Sequence, residues 1–211
     1  MKVCEIFSSI QGESSYAGLP SVFVRVTGCN LRCLYCDTPY AYDEGREMSE
    51  DEIFDEVSRH GVRLVEITGG EPLLQKGVFP LIRRLLDDGF TLLLETNGSV
   101  SIKDVDKRAV IVIDIKTPKS GMFGNMDLEN LGYLKQNDEL KFVISDREDY
   151  EWVKNFIETY RLLDRCKILL SPAYRLLSPE SLSRWMLHDR LPARLNLQLH
   201  KYIYGPEARG V

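Results

Sequence analysis

Short apolar runs rich in β-branched residues alternate along the chain with segments of helical period. The runs are Val22 to Thr27, Val62 to Thr68, Thr91 to Thr96, Val110 to Lys116, Leu140 to Ser145, Lys167 to Ser171 and Leu195 to His200. Runs that stay apolar at successive positions suit strands buried on both faces, so seven of them separated by helical segments predict an α/β fold with a mostly parallel sheet. Helix starts are readable in between. Ser49 with Glu52 three residues on makes a capping box for a helix ended by Gly61, and Ser178 precedes Pro179 at a first helical position. Asp146 is placed to cap a helix carrying Trp152, Val153, Phe156 and Ile157. The stretch from Pro118 to Gln136, with its Gly and Asn residues, predicts a long crossover containing at most a short helix. No repeat, low-complexity segment or boundary interrupts residues 1–211, which predicts a single domain.

The polar residues fall in a second pattern. Each unusual polar cluster follows the C-terminal end of a predicted strand: Cys29 to Thr38, Thr68 to Pro72, Glu95 to Gly98, Asp114 to Lys116, Ser145, Ser171-Pro172, and Gln198 to Lys201. In barrel-like and open α/β sheets that rim is where active sites form. Alternation adds detail, because side chains two apart on a strand share a face. Asp114 with Lys116, Gln198 with His200, and Arg25 with Thr27 are thereby paired. Taken singly, Asp114 and Lys116 read equally well as a buried ion pair, and His200 as a structural histidine. Gathered on one rim they read as ligands to something polar.

Composition narrows the class. The 211 residues are 44% hydrophobic and 28% charged, as in soluble globular proteins. The net charge of −5 and the absence of a Lys/Arg run give no attraction to nucleic acid or to an anionic membrane. No apolar stretch approaches membrane-spanning length and the N-terminus has no signal-peptide core, so a cytoplasmic protein is expected.

The sharpest chemical signal is Cys29, Cys33 and Cys36, in the spacing C-x3-C-x2-C. Three thiolates are one short of a closed tetrahedral site, so whatever they hold keeps an open position. A structural zinc site would need a fourth Cys or His nearby, but the nearest histidine is His60, and Cys4 and Cys166 are remote. Five cysteines, an odd number in a chain this long, do not read as a disulfide framework. The spacing therefore favours an iron–sulfur cluster, with zinc the alternative. Cys4 and Cys166 are expected to be structural. Gly69-Gly70-Glu71-Pro72 lets a ligand approach backbone free of Cβ atoms and offers a carboxylate to an ammonium group, although Gly-Gly before a proline also makes ordinary turns.

The segment from Cys29 to Cys36, with Tyr35 before the last cysteine, resembles the cluster loop of radical S-adenosylmethionine (SAM) enzymes. That resemblance implies a [4Fe–4S] cluster on Cys29, Cys33 and Cys36, its fourth iron chelated by the methionine moiety of S-adenosylmethionine. It implies a partial (β/α)6-like barrel, with cofactor contacts from Gly69, Gly70, Glu71 and Pro72 and from the strand ends at Glu95, Asn97, Asp114, Lys116 and Ser145. Within the superfamily, Ser9 to Glu13, Arg25, Cys36-Asp37-Thr38 and Gln198 to Lys201 resemble the 7-carboxy-7-deazaguanine synthases of queuosine biosynthesis, and the match runs from end to end. The implied reaction converts 6-carboxy-5,6,7,8-tetrahydropterin to 7-carboxy-7-deazaguanine and ammonia. A 5′-deoxyadenosyl radical would take hydrogen from C6 before the ring contracts. Gln11, Gly12, Glu13, Arg25, Gln198 and His200 would surround the pterin, and Thr38 would bind Mg2+. The resemblance also implies a homodimer and an electron donor such as flavodoxin. Some relatives end near the substrate, with the terminal carboxylate in the site, whereas Gly205 to Val211 continue past the His200 region here. Rival readings are an activating enzyme for glycyl-radical proteins, which shares the cluster loop, a zinc-binding interaction module, and a structural protein with incidental cysteines.

Overall fold

The computed structural model describes residues Met1 to Val211. Six of the seven apolar runs form the strands expected of them: β2 (Pro20–Val26), β4 (Leu64–Gly69), β5 (Thr91–Thr96), β6 (Val110–Ile115), β7 (Glu139–Ile144) and β8 (Lys167–Pro172). They pair in parallel in that order, and β9 (Arg194–Leu195) adds a short parallel edge beside β8. β1 (Lys2–Ile10) runs antiparallel to β2, and β3 (Arg46–Glu47) pairs with β1, giving an open sheet of nine strands in the order β3-β1-β2-β4-β5-β6-β7-β8-β9. The sheet does not close, so this is a partial barrel.

Two elements depart from the sequence reading. β1 was not among the predicted runs, because most of its residues are only half-buried and the apolar alternation is muted. The run Leu195 to His200 is a strand only at its start. β9 stops at Leu195, and α5 (Leu199–Tyr204) begins with Gln198 at its N-cap position. The alternating Leu-Asn-Leu-Gln-Leu-His mimics a strand, but past Asn196 the chain leaves the sheet edge and the Leu199 amide donates instead to the Gly12 carbonyl at 3.0 Å. Gln198 and His200 therefore do not share a strand face.

Four of the five α-helices pack on one side. α1 (Glu50–Arg59) carries the Ser49–Glu52 capping box, α3 (Arg147–Thr159) is capped by Asp146, and α4 (Pro179–Asp189) by Ser178. With α2 (Val78–Asp87) they cover the face from which Val24, Ile67, Leu94, Ile113 and Phe142 project into one core. The β5–β6 and β6–β7 crossovers lack an α-helix. The second, anticipated as a long loop, contains 3-10 turns at Pro118–Ser120, Phe123–Asn125 and Leu128–Gly132. Phe123 anchors it edge-on to Trp152, with ring centroids 4.8 Å apart. The buried Asn130 side chain ties it to the preceding crossover through Ile102 N at 2.9 Å and the Val100 carbonyl at 2.9 Å.

The opposite, concave face is divided along its length. At the N-terminal ends of the strands Leu64, Leu93 and Val110 form a small apolar plug under Tyr16. Beside the plug the fully buried Glu139 carboxylate accepts from the Ser15 amide at 3.0 Å and meets the Lys167 ammonium at 3.4 Å. The loop from Gln11 to Leu19 thus seals the bottom of the trough, and its C-terminal end is left open to be polar.

Candidate functional site

A cavity of about 690 Å3 occupies that open end. One wall is the cysteine loop that follows β2. All three thiols are free, half-buried and exposed to the cavity. Leu31 anchors the loop in the interior, while its backbone is held from several sides: Gly28 N donates to the Ala41 carbonyl at 2.8 Å and Leu34 N to the Ser120 carbonyl at 3.2 Å. Asn97 reaches Asn30 Oδ1 at 3.1 Å and Cys29 Sγ at 3.6 Å. The Tyr35 ring is tucked beneath, its hydroxyl 3.4 Å from Thr117 and from the Val143 carbonyl, and burial pushes its pKa up to about 12.

Gly69 and Gly70 serve this wall before any ligand. A Cβ at Gly70 would overlap the Gly28 carbonyl oxygen, and one at Gly69, where φ is +126°, would overlap the backbone of Val26. The close approach allows Glu71 N to donate to the Gly28 carbonyl at 2.7 Å. The Glu71 side chain corrects the sequence reading. It lies fully buried outside the cavity and accepts from Leu73 N at 3.0 Å, Thr96 Oγ1 at 2.8 Å and Asn97 N at 2.7 Å, so it offers nothing to an ammonium group. Pro72, which opens a 3-10 turn, and Ser145, whose amide donates to Asp149 at 3.1 Å, also lie off the cavity wall.

The remaining expected residues all line the cavity. Asp114 and Lys116 face it as a buried pair 2.8 Å apart, as two-residue spacing on β6 requires. Arg25 Nε bonds Glu5 Oε1 at 2.7 Å, which leaves both terminal guanidinium nitrogens without a protein partner. Glu13 is fixed by Gln198 Nε2 at 2.8 Å. Burial opposes its ionisation, but the Lys141 ammonium, with the hydrogen bond from Gln198, holds its carboxyl below the usual range. Gln11 contacts Glu66 and takes the Glu13 amide on its Oε1 at 3.0 Å, so both ends of its amide are engaged in protein contacts. Gly12 packs against the His200 imidazole, where a Cβ would overlap Nδ1. Burial lowers the His200 pKa and favours the neutral ring. Thr38 precedes the turn Pro39–Tyr42, and its hydroxyl caps nothing there. Gly205 to Val211 line the cavity as well, with Arg209 stacked 3.7 Å from the Tyr40 ring centroid and 3.3 Å from Glu44.

Sequence reasoning missed Lys141, Glu66 and Asn196. Lys141 faces Asp114 in the parallel register of β6 and β7, and binds Glu13 Oε2 at 2.9 Å. Glu66 has its carboxyl pushed well above the usual range by burial and by Glu95. Asn196, 2% exposed, accepts from Ser14 N at 2.9 Å and donates to Ser171 Oγ at 2.8 Å, which fastens β9 to the loop that seals the trough. A signal existed for the first two, each a charge inside an apolar strand and on the cavity face. Asn196 left none.

No three His, Cys, Asp or Glu side chains stand at the spacing of a single metal ion. The three thiols share a chamber wall instead, which suits a cluster in which each thiolate binds a different iron. Burial pushes the Cys33 thiol up, with the neighbouring Lys116 ammonium acting in the opposite sense.

The profile of the Radical SAM superfamily matches residues 23–120. The chain is 46% identical over 226 residues to the 7-carboxy-7-deazaguanine synthase of Koribacter versatilis (strain Ellin345), covering 100% of both. It is 46% identical over 215 residues to the protein of that name from Chlorobaculum tepidum, covering 100% of this chain and 97% of the relative. Among solved structures, QueE from Escherichia coli superposes with a TM-score of 0.78 over 93% of each chain at 22% identity, a likeness of fold.

The close approach at Gly70 generates a prediction. Gly70→Ala places a methyl against the backbone of Gly28, which cannot yield as a flexible side chain would. The variant is expected to fold with unchanged helical circular dichroism but to bind less than half the iron and sulfide of the wild type on anaerobic reconstitution. Full cluster loading would show that the approach is not needed.

Proposed function

The chain belongs to the 7-carboxy-7-deazaguanine synthase family of radical SAM proteins, and from that premise we propose that it converts 6-carboxy-5,6,7,8-tetrahydropterin to 7-carboxy-7-deazaguanine with release of ammonia. The observation that carries the reading is the joining of two chemistries in one cavity, three thiols on one wall and, elsewhere on its lining, the Arg25 guanidinium with two unpartnered nitrogens, Glu13 and His200. In this reading Cys29, Cys33 and Cys36 hold a [4Fe–4S] cluster and Gly69, Gly70, Glu95, Asn97, Asp114 and Lys116 surround S-adenosylmethionine. Bound there, the pair supplies one-electron cleavage of a carbon–sulfur bond and hence hydrogen abstraction from carbon.

The chain's own residues bind, orient and shield. The two unpartnered nitrogens of Arg25 match the 6-carboxylate of the pterin as a fork. Glu13, kept ionised and held by Gln198, accepts from ring N–H groups. The neutral His200 ring, seated on Gly12, can donate or accept along the pterin edge. Thr38 offers an oxygen to Mg2+, a hard ion that completes its shell with water and substrate oxygens. Gly205 to Val211 line the mouth of the chamber. The reading also takes in one domain over 1–211, a flavodoxin-like one-electron donor, a homodimer and a cytoplasmic setting. No helix is long and apolar enough to cross a membrane.

The direct test is turnover. Protein reconstituted anaerobically with iron and sulfide, then given dithionite, S-adenosylmethionine, Mg2+ and the tetrahydropterin, is expected to yield 7-carboxy-7-deazaguanine by mass spectrometry, and Cys33→Ala is expected to yield none. Cofactor cleavage without a deazapurine would overturn the substrate assignment, and turnover by Cys33→Ala would overturn the cluster assignment. Thr38→Ala is expected to raise the Mg2+ concentration for half-maximal rate by about 10-fold or more, with the cluster spectrum unchanged. An unaltered Mg2+ response would move the ion elsewhere.

A further inference from the structure

No other cation in the cavity is as enclosed as Lys141. Its side chain is 8% exposed, and its ammonium meets carboxylates from three separate elements. Glu13 Oε2, in the loop after β1, lies at 2.9 Å, and Asp114 Oδ2, at the end of β6, at 3.5 Å. The third partner is Glu95, at the end of β5. Burial alone would discharge an ammonium, but the three carboxylates outweigh it and raise the Lys141 pKa well above the ordinary lysine value. The group is a charged ion, and it is shared.

Its partners look toward different parts of the chamber. Glu13 belongs with Gln198 and His200, while Asp114 belongs with Lys116 and Cys33. Asp114 is also divided. Its Oδ2 takes both Lys116, at 2.8 Å, and Lys141, while its Oδ1 is buried without any hydrogen-bond partner. A buried acceptor left without a donor is costly, more so when charged, so Oδ1 marks the place of a donor that comes with a ligand. Two ammoniums thus compete for one oxygen. Ring N–H donors arriving at Glu13 would weaken its hold on Lys141, shift the ammonium toward Asp114 and free Lys116 to meet acceptors on the cofactor.

We propose that Lys141 is a positioning residue that couples the two halves of the cavity, so that pterin at Glu13 tightens binding of S-adenosylmethionine beside Asp114 and Lys116, and the reverse. The proposal rests on the placement of cofactor and pterin given above. By thermodynamic necessity each ligand must change the affinity of the other by the same factor.

The experiment is equilibrium binding of S-adenosylmethionine to cluster-loaded protein by calorimetry, without reductant so that nothing turns over, in the presence and absence of 6-carboxy-5,6,7,8-tetrahydropterin. Wild type is expected to bind the cofactor about 5-fold or more tighter when pterin is present. Lys141→Met and Lys141→Gln are expected to bring that factor to within about two-fold of unity, and Lys141→Arg, which keeps the charge, to preserve most of it. A merely structural lysine would change both affinities without changing their ratio. Iron content and circular dichroism identify a variant that fails to fold or load, and either neutral variant suffices. Pterin that binds wild type but leaves cofactor affinity unchanged, or weakens it, overturns the coupling alone, as does undiminished coupling in the loaded neutral variants. Pterin that does not bind wild type defeats the substrate assignment and the coupling with it.

Discussion

Everything about the site depends on holding a twelve-residue loop, Thr27 to Thr38, in a shape that presents three thiols to one side while its backbone groups are satisfied from the other. The loop has no secondary structure of its own to do this, and a buried backbone polar group left unpaired costs on the order of 1–3 kcal/mol. The neighbouring strand ends supply the partners. Gln75 reaches in to bond the Thr27 carbonyl at 3.0 Å and both polar groups of the Lys2 peptide backbone, Asn97 braces Asn30 and Cys29, and the crossover at Ser120 receives Leu34. Gly69 and Gly70 bring the end of β4 close enough to join in. Glu71, buried behind them, links this turn to the end of β5 through three hydrogen bonds. Three strand ends are thereby bound into one wall.

The second constraint is charge. A trough lined by Glu13, Glu66, Glu95, Asp114, Lys116 and Lys141 holds four carboxyl groups against two ammoniums, all of them buried or half-buried. Such an arrangement is tolerable only where the ions pair or where a carboxyl keeps its proton. Both occur. Lys116 and Lys141 remain charged on shared carboxylates, and Glu66 is driven toward its neutral form. The apolar plug closes the trough below, and residues 205–211 line its open end.

How much of this the sequence disclosed follows from the same physics. Strands buried on both faces write themselves as continuous apolar runs, so β2 and β4 through β8 were legible, and so were the helix caps at Ser49, Asp146 and Ser178. β1 lies near the edge of the sheet and is only partly buried, so its pattern was blurred. Leu195 to His200 carried a strand's alternation with no second neighbour to hold it in the sheet, and it became a short helix instead. The cysteines, Arg25, Asp114 and Lys116 announced themselves by sitting at strand ends. Lys141 and Glu66 were hidden within strands, where a lone charge is easily passed over, although their parity matched the cavity face. Glu71 looked like a ligand because motif position says nothing of which way a side chain turns. The full-length similarity to 7-carboxy-7-deazaguanine synthases weighs against the zinc-module, glycyl-radical-activating and incidental-cysteine readings.

The cluster proposed on Cys29, Cys33 and Cys36 lacks one protein ligand, which leaves an iron for the cofactor to complete. The most direct measurement is electron–nuclear double resonance on the reduced, cluster-loaded protein with S-adenosylmethionine carrying 15N at its methionine amino group. A 15N hyperfine coupling of a size that only direct bonding to iron produces, lost when unlabelled cofactor is substituted, is the predicted result. A cluster signal that does not change on addition of the cofactor, with no 15N coupling, would contradict it.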